Sequence, residues 1–187
     1  MKKKYVQVGL GGRARFFYEA IASTYHQTCE LVGFCDVSQT RMDYANRVLV
    51  NKYGQKKVKT CMPSQFEQLL DDVQPDEVII TSVDRTHHDY IIRAMRKGYD
   101  VICEKPLTID EEKAQEIITV QKQTGRNLRV TFNYRYAPYH TKIKELLEKD
   151  IIGDVFSIHF EWLLNASRSQ LLQTDSRPGL PQSTCPL

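Results

Sequence analysis

The run Val6-Gln7-Val8-Gly9-Leu10-Gly11-Gly12-Arg13-Ala14 constrains this chain more than any other stretch: a short apolar segment feeds a glycine turn, and the turn opens into a helical pattern. Each small residue has a separate physical use. Gly9 permits a tight strand-to-helix reversal, Gly11 lets the backbone come close to a pyrophosphate, and Ala14 lets the new helix lie close on the strand. Amides left unpaired at the start of that helix then face the phosphates. A turn of this kind also closes ordinary strand–helix units, so the rest of the chain must decide what it serves.

Downstream, apolar strands alternate with helical patterns. Lys4 to Val8 reads as a strand and Arg13 to Tyr25 as a helix; Leu31 to Asp36 is a strand ending in a carboxylate, followed by a helix from Thr40 to Tyr53. Val58 to Cys61 is a short strand, and Ser64 with Glu67 has the spacing of a capping box opening the next helix. Glu77 to Val83 is β-branched and apolar throughout, as expected of a strand covered on both faces. A helix capped by Thr86 and Asp89 and closed at Gly98, a strand from Asp100 to Cys103, and a helix from Asp110 to Gly125 follow. Such alternation predicts βαβ units and an α/β, Rossmann-type doubly wound parallel sheet. Ligands of these sheets bind at the carboxyl ends of the strands, where Gly9 to Ala14, Asp36, Thr81 to Asp84 and Glu104 to Pro106 all fall.

Asp36 lies 22 residues after Ala14, close to the spacing at which an acid meets the adenosine ribose. Its charge accepts from ribose hydroxyls and repels a 2′-phosphate, which favours NAD over NADP; the competing reading is an acid that caps the turn or helix after it. The net charge of +3 is too small to argue for nucleic acid, and Lys2, Lys3 and Lys4 precede no apolar leader, so neither export nor a membrane partner is expected. Five widely spaced cysteines contain no C-x-x-C pair, which points to a reducing cytoplasm and to Cys35 and Cys103 as buried apolar residues. His87 and His88 adjoin at a helix start without a third ligand at metal spacing, so cofactor contact or capping is expected and no metal.

Glu104-Lys105-Pro106 places a lysine at the rim, beside a proline that stiffens its backbone. Taken with the glycine turn, Gly33-Phe34-Cys35-Asp36, Thr81 through His87 and the apolar strand from Gly98 into Glu104-Lys105-Pro106, the chain resembles the Gfo/Idh/MocA oxidoreductases, relatives of glucose-fructose oxidoreductase and inositol dehydrogenase. The resemblance spans about residues 4 to 165. It implies Gly9, Gly11, Arg13 and Ala14 around the pyrophosphate, Asp36 at the adenosine ribose, and Thr81, Ser82 and His87 on the nicotinamide side. Glu104 and Lys105 would carry the catalytic motif, with Lys105 touching both nicotinamide ribose and a sugar or polyol substrate. Asn133, Arg135 and Tyr136, in a stretch read as one strand from Leu128 to Tyr136, would face that substrate.

The resemblance also implies a Rossmann domain (1–125) followed by a crossover and the start of an α+β substrate domain (126–165), while residues 166–187, rich in serine, glutamine and proline and without periodicity, read as a disordered tail. A helix from Tyr139 to Lys149 and a strand from Val155 through Trp162 are expected in the middle segment, which leaves an apolar, aggregation-prone edge. Members of that family carry an aspartate and a histidine four positions apart whose imidazole handles the substrate proton; no such pair follows residue 165 here. The expectation is therefore a substrate domain cut short near residue 165. Two functions stand side by side: an NAD-dependent oxidoreductase, for which a homo-oligomer is one candidate assembly, and a non-catalytic dinucleotide-binding module. A methyltransferase using S-adenosylmethionine shares the glycine turn and the acid, but Glu104-Lys105-Pro106 argues against it.

Overall fold

The computed structural model describes residues 1–161 and Leu163. One compact unit runs from Met1 to Ala137 and a second begins at Pro138. The first is a single six-stranded sheet built from β1 (Lys3–Val8), β2 (Cys29–Cys35), β3 (Lys59–Cys61), β4 (Glu77–Ile80), β5 (Asp100–Glu104) and β6 (Leu128–Thr131), ordered β3-β2-β1-β4-β5-β6 with every neighbouring pair parallel. This order reverses direction between β1 and β4, so the glycine turn leaves the sheet at its switch point. Helices α1 (Ala14–Ala22), α2 (Gln39–Tyr53), α3 (Phe66–Val73), α4 (His87–Arg96) and α5 (Glu111–Thr124) connect the strands.

Two apolar layers follow from strands covered on both faces. One joins Val6, Val8, Val78, Ile80, Val101 and Cys103 to Phe66, Leu70, Ile91, Met95 and Ile117. The other joins Phe34 to Ala14, Tyr18, Met42 and Leu49, with the Tyr18 and Phe34 rings edge to face at 5.8 Å. Full burial of each large side chain contributes roughly 2 kcal/mol. Local signals set most helix ends: the Ser38 side chain accepts from the Arg41 amide and Asp110 from the Lys113 amide, while Gly54 and Gly125 close α2 and α5 with positive φ.

Several expected boundaries move, each for a tertiary reason. β4 stops at Ile80 rather than Val83, because its neighbour β1 ends at Val8 and offers no further partner. The Ser64–Glu67 capping box does not form: Pro63 opens a 3₁₀ turn over Pro63–Gln65, and the Glu67 carboxylate is taken by Arg93 at 2.5 and 2.6 Å. Thr86 likewise gives no cap. Its hydroxyl turns to the Ser82 hydroxyl and the Val83 carbonyl, and Asp89 pairs with Arg93.

α1 and α2 are joined by Glu19, which accepts from Lys52 Nζ (2.8 Å) and Tyr53 Oη (2.5 Å) on α2 and from Arg15 on its own helix. Those donors, Lys52 first, hold its carboxyl at about 2, below its ordinary value near 4.5. A folded value below the unfolded one stabilises the fold above pH 4.5 and loses that contribution as pH falls toward 2. Urea midpoints measured between those limits are therefore expected to fall less steeply in Glu19→Gln than in the parent; identical slopes would show that the pairing contributes nothing.

The second unit contains α6 (Pro138–Glu148), none of whose residues is buried. Residues 153–161 form no strand, contrary to the expectation from Val155 onward, and Trp162 lies outside the described residues. A strand needs a hydrogen-bonding neighbour, and sequence alternation alone does not supply one. Phe156 and Ile158 are accordingly exposed. The expected tail at 166–187 also lies outside the described residues.

Candidate functional site

At the carboxyl end of β1, the backbone of Gly9 has φ +79 and lies against β4's outgoing loop. A Cβ there would stand 2.5 Å from Ser82 N and 2.7 Å from Thr81 C, closer than real Cβ contacts reach. Thr81, buried, donates its hydroxyl to the Gly9 carbonyl at 2.6 Å and accepts from Gln7 Nε2 at 3.1 Å. Gln7 also donates to the Ala14 carbonyl, so one buried amide ties strand, turn and helix together. The sequence signal for Gln7 is a polar residue inside an otherwise apolar strand.

Gly11 and Gly12 are different. A Cβ added at either meets nothing within 4 Å, so open space lies over the turn where a bound phosphate would approach. The start of α1 carries no side-chain cap. Uncapped amides beside open space suit an anion, and this fits a dinucleotide pyrophosphate.

Asp36, immediately past β2, is buried, and its two carboxylate oxygens accept from the Leu10 amide (2.5 Å) and the Ser38 amide (2.8 Å). The acid thus fastens the glycine turn to the β2 end and also holds the turn that follows it. Each oxygen keeps a further lone pair for a ribose hydroxyl. Arg41 approaches Asp36 only to 4.0 Å.

On the opposite side, Glu104 is buried and accepts from Arg13 Nε (2.8 Å), Thr131 Oγ1 (2.9 Å) and the Lys105 amide (3.1 Å). Arg13 is therefore held across the rim by Glu104, a pairing that sequence separation hides. Lys105 follows with a cis bond to Pro106; its side chain is exposed and makes no ion pair among the described residues. His87 is 1% exposed, with ring nitrogens 2.8 Å from the Pro106 carbonyl and 3.0 Å from the Ser82 carbonyl. It clamps the two rim loops together instead of capping α4. His88 points elsewhere, to Glu116 on α5 at 2.6 Å, and no group of three or more metal-ligating side chains occurs among the described residues.

Asn133, Arg135 and Tyr136 do not lie on a strand. β6 ends at Thr131 because its partner β5 ends at Glu104, and Asn133–Tyr136 form an exposed 3₁₀ turn. The structure thus brings Gly9, Gly11, Arg13, Ala14, Asp36, Thr81, Ser82, His87, Glu104 and Lys105 to one end of one sheet. No helix among the described residues is long and apolar enough to cross a membrane.

The model of the Gfo/Idh/MocA oxidoreductase family, described as an NAD-binding Rossmann fold, matches residues 3–132. D-glucoside 3-dehydrogenase of Escherichia coli (strain K12) is 27% identical over 158 residues, covering 83% of this chain and 43% of its own length. Glucose-6-phosphate 3-dehydrogenase of Bacillus subtilis (strain 168) is 29% identical over 170 residues, with 88% and 43% covered. Scyllo-inositol dehydrogenase from Lactobacillus casei, solved with NAD(H) and scyllo-inositol, shares the fold with a TM-score of 0.72 and 24% identity, over 82% of this chain and 43% of that one. The chain spans less than half the length of each of these proteins. A model match over most of the sheet, on a chain whose glycine turn, β2 acid and Glu104-Lys105-Pro106 meet at one rim, places the protein in the Gfo/Idh/MocA oxidoreductase family through its NAD-binding Rossmann domain.

Proposed function

We propose that this chain is the cofactor-binding part of an oxidoreductase that moves a hydride between a nicotinamide dinucleotide and a carbon bearing a hydroxyl or carbonyl, on a sugar or polyol. The observation that carries it is the meeting of the turn at Gly9–Ala14, Asp36 and Glu104-Lys105-Pro106 at the switch point of one parallel sheet. Bound NAD supplies the hydride acceptor. The chain's own residues do the rest: the Gly11 and Gly12 backbone leaves room for the pyrophosphate, and Asp36 accepts from the adenosine ribose. Ser82, backed by Thr81 and His87, would hold the nicotinamide side of the cofactor. Lys105, fixed through its amide by Glu104, extends an ammonium that holds a substrate oxygen, while Asn133, Arg135 and Tyr136 are available to the substrate's far side. The cysteines among the described residues are free, which agrees with a reducing, cytoplasmic setting.

Calorimetric titration with NADH and with NADPH tests this reading. Saturable NADH binding, tighter than NADPH, is expected. Asp36→Ala is expected to weaken NADH at least about tenfold, the loss of a hydrogen bond to a charged group, while the NADPH affinity changes less. Equal losses for both cofactors would mean that Asp36 acts only by holding Leu10 and Ser38. Binding without turnover of any sugar or polyol would identify a dinucleotide-binding module, and no binding would overturn the reading.

A further inference from the structure

Cys35 and Cys61 are distant in sequence, yet β2 and β3 set them side by side. In the parallel register they are Cα partners at the ends of their strands, so both side chains leave the same face of the sheet side by side. Neighbouring strands run about 4.8 Å apart, inside the roughly 4.4–6.8 Å Cα separation that a disulfide spans. β3 is a three-residue edge strand, free to adjust to the bond.

The two sulfurs differ in access and in charge. Cys35 is fully buried, whereas Cys61 is 8% exposed and lines a surface pocket of about 220 Å³ with Lys59, Gln65, Gln68 and Leu69. The hydrogen bond from Cys35 holds the Cys61 thiol below its ordinary value, with help from the nearby Arg93 guanidinium and against burial and Glu67. That same hydrogen bond, then burial, pushes the Cys35 thiol up. Tyr90 also faces Cys35.

We propose that Cys35 and Cys61 form a reversible thiol-oxidation site, in which Cys61 reacts with a peroxide and Cys35 resolves the product to a disulfide. The Cys61 thiolate attacks one peroxide oxygen; the O–O bond breaks, leaving Cys61 as a sulfenic acid and releasing hydroxide, which solvent protonates. Cys35 Sγ then attacks Cys61 Sγ, the S–O bond breaks, and water departs with the Cys35 proton. Two electrons pass from the thiols to the peroxide, which ends as two waters. Exchange with small-molecule thiols of a reducing compartment breaks the bond and returns both cysteines, which makes the step reversible.

The location couples the site to the cofactor rim. Asp36 follows Cys35 directly, and its amide donates to the Cys61 carbonyl at 3.3 Å. Closing the bond shifts the strand end that aims the Asp36 carboxylate, so the oxidised chain binds NADH more weakly. This consequence rests on the cofactor reading above; the oxidation site itself does not.

The test treats the reduced 187-residue chain with equimolar hydrogen peroxide, alkylates the remaining thiols and maps peptides without reduction. Expected are the loss of two of the five thiols and a linked pair containing Cys35 and Cys61, lighter by about 2 Da than the reduced pair. Dithiothreitol restores both thiols. Cys103, whose thiol burial pushes up to about 12, stays reduced. Cys61→Ala forms no link, and Cys35→Ala leaves a Cys61 sulfenic acid that dimedone captures. Recovery of Cys35 and Cys61 both alkylated, or a link through another cysteine, overturns the proposal. NADH affinity of the oxidised chain is expected to fall about tenfold and to return on reduction. A linked chain with unchanged affinity overturns the coupling, whereas a reduced chain that never binds NADH overturns the cofactor reading and leaves the thiol mapping to stand or fall by itself.

Discussion

Gly9→Ala is expected to abolish NADH binding and to destabilise the Met1–Ala137 unit by about 3 kcal/mol or more. Two costs coincide at this position. The backbone sits at φ +79, where an L side chain is strained, and the new methyl would collide with the Thr81–Ser82 backbone, which cannot swing aside as a flexible side chain does. The collision is not local in effect. Relieving it means parting β1 from β4, which breaks the hydrogen bonds from Thr81 to Val8 and Gly9 and opens the switch point. Gly11→Ala is the complementary variant. Its methyl meets no protein atom within 4 Å, so stability should change by less than about 0.5 kcal/mol, yet the methyl occupies space assigned to the pyrophosphate and NADH affinity should drop at least about tenfold. Urea unfolding followed by circular dichroism, together with NADH titration, separates the two. A stable Gly9→Ala chain would disprove the tight approach of the turn to Ser82. Normal NADH binding by Gly11→Ala would remove the pyrophosphate from the turn.

Glu104→Ala should be the next most damaging change, at about 2–3 kcal/mol of stability. Removing one partner of a buried ion pair costs roughly 3–5 kcal/mol when the other charge is stranded, but the Arg13 side chain is 40% exposed and can rehydrate, which lowers the figure. Thr131 and the Lys105 amide lose their acceptor at the same time. Glu104→Gln keeps the shape and one acceptor and is expected to cost about 1 kcal/mol. A double-mutant cycle with Arg13→Ala isolates the pair, with an expected coupling of about 1 kcal/mol. Lys105 is the functional casualty, since its backbone anchor is Glu104; loss of NADH affinity in Glu104→Ala without loss in Arg13→Ala would assign that effect to Lys105. A Glu104→Ala chain within about 0.5 kcal/mol of the parent would show that the buried carboxylate is a passenger.

The order of elements from Lys3 to Thr124 was legible in the residues themselves, because strand and helix here are written as apolar periodicity and ended by local devices such as Asp110, Gly54 and Gly125. Glycine chemistry at the turn and an acid at the end of β2 were equally readable, since each acts through its own backbone or charge. Boundaries governed by a neighbour were not. The sequence pattern carries β4 past Ile80 to Val83 and the stretch from Leu128 through Tyr136, whereas a ladder ends where its partner ends, and the partner is elsewhere in the chain. The same holds for Val155 onward, where an apolar alternation has no assigned strand.

Side-chain partners depend still more on tertiary structure. Nothing in the sequence couples Arg13 to Glu104, Glu67 to Arg93, His87 to the Ser82 and Pro106 carbonyls, or Cys35 to Cys61. These contacts arise from the strand order β3-β2-β1-β4-β5-β6, which is set by crossovers long after the local pattern is spent. Local sequence determined which segments are strands and helices and what chemistry stands at their ends. The sheet decided which of those ends meet, because parallel pairing brings together residues whose separation along the chain carries no record of it.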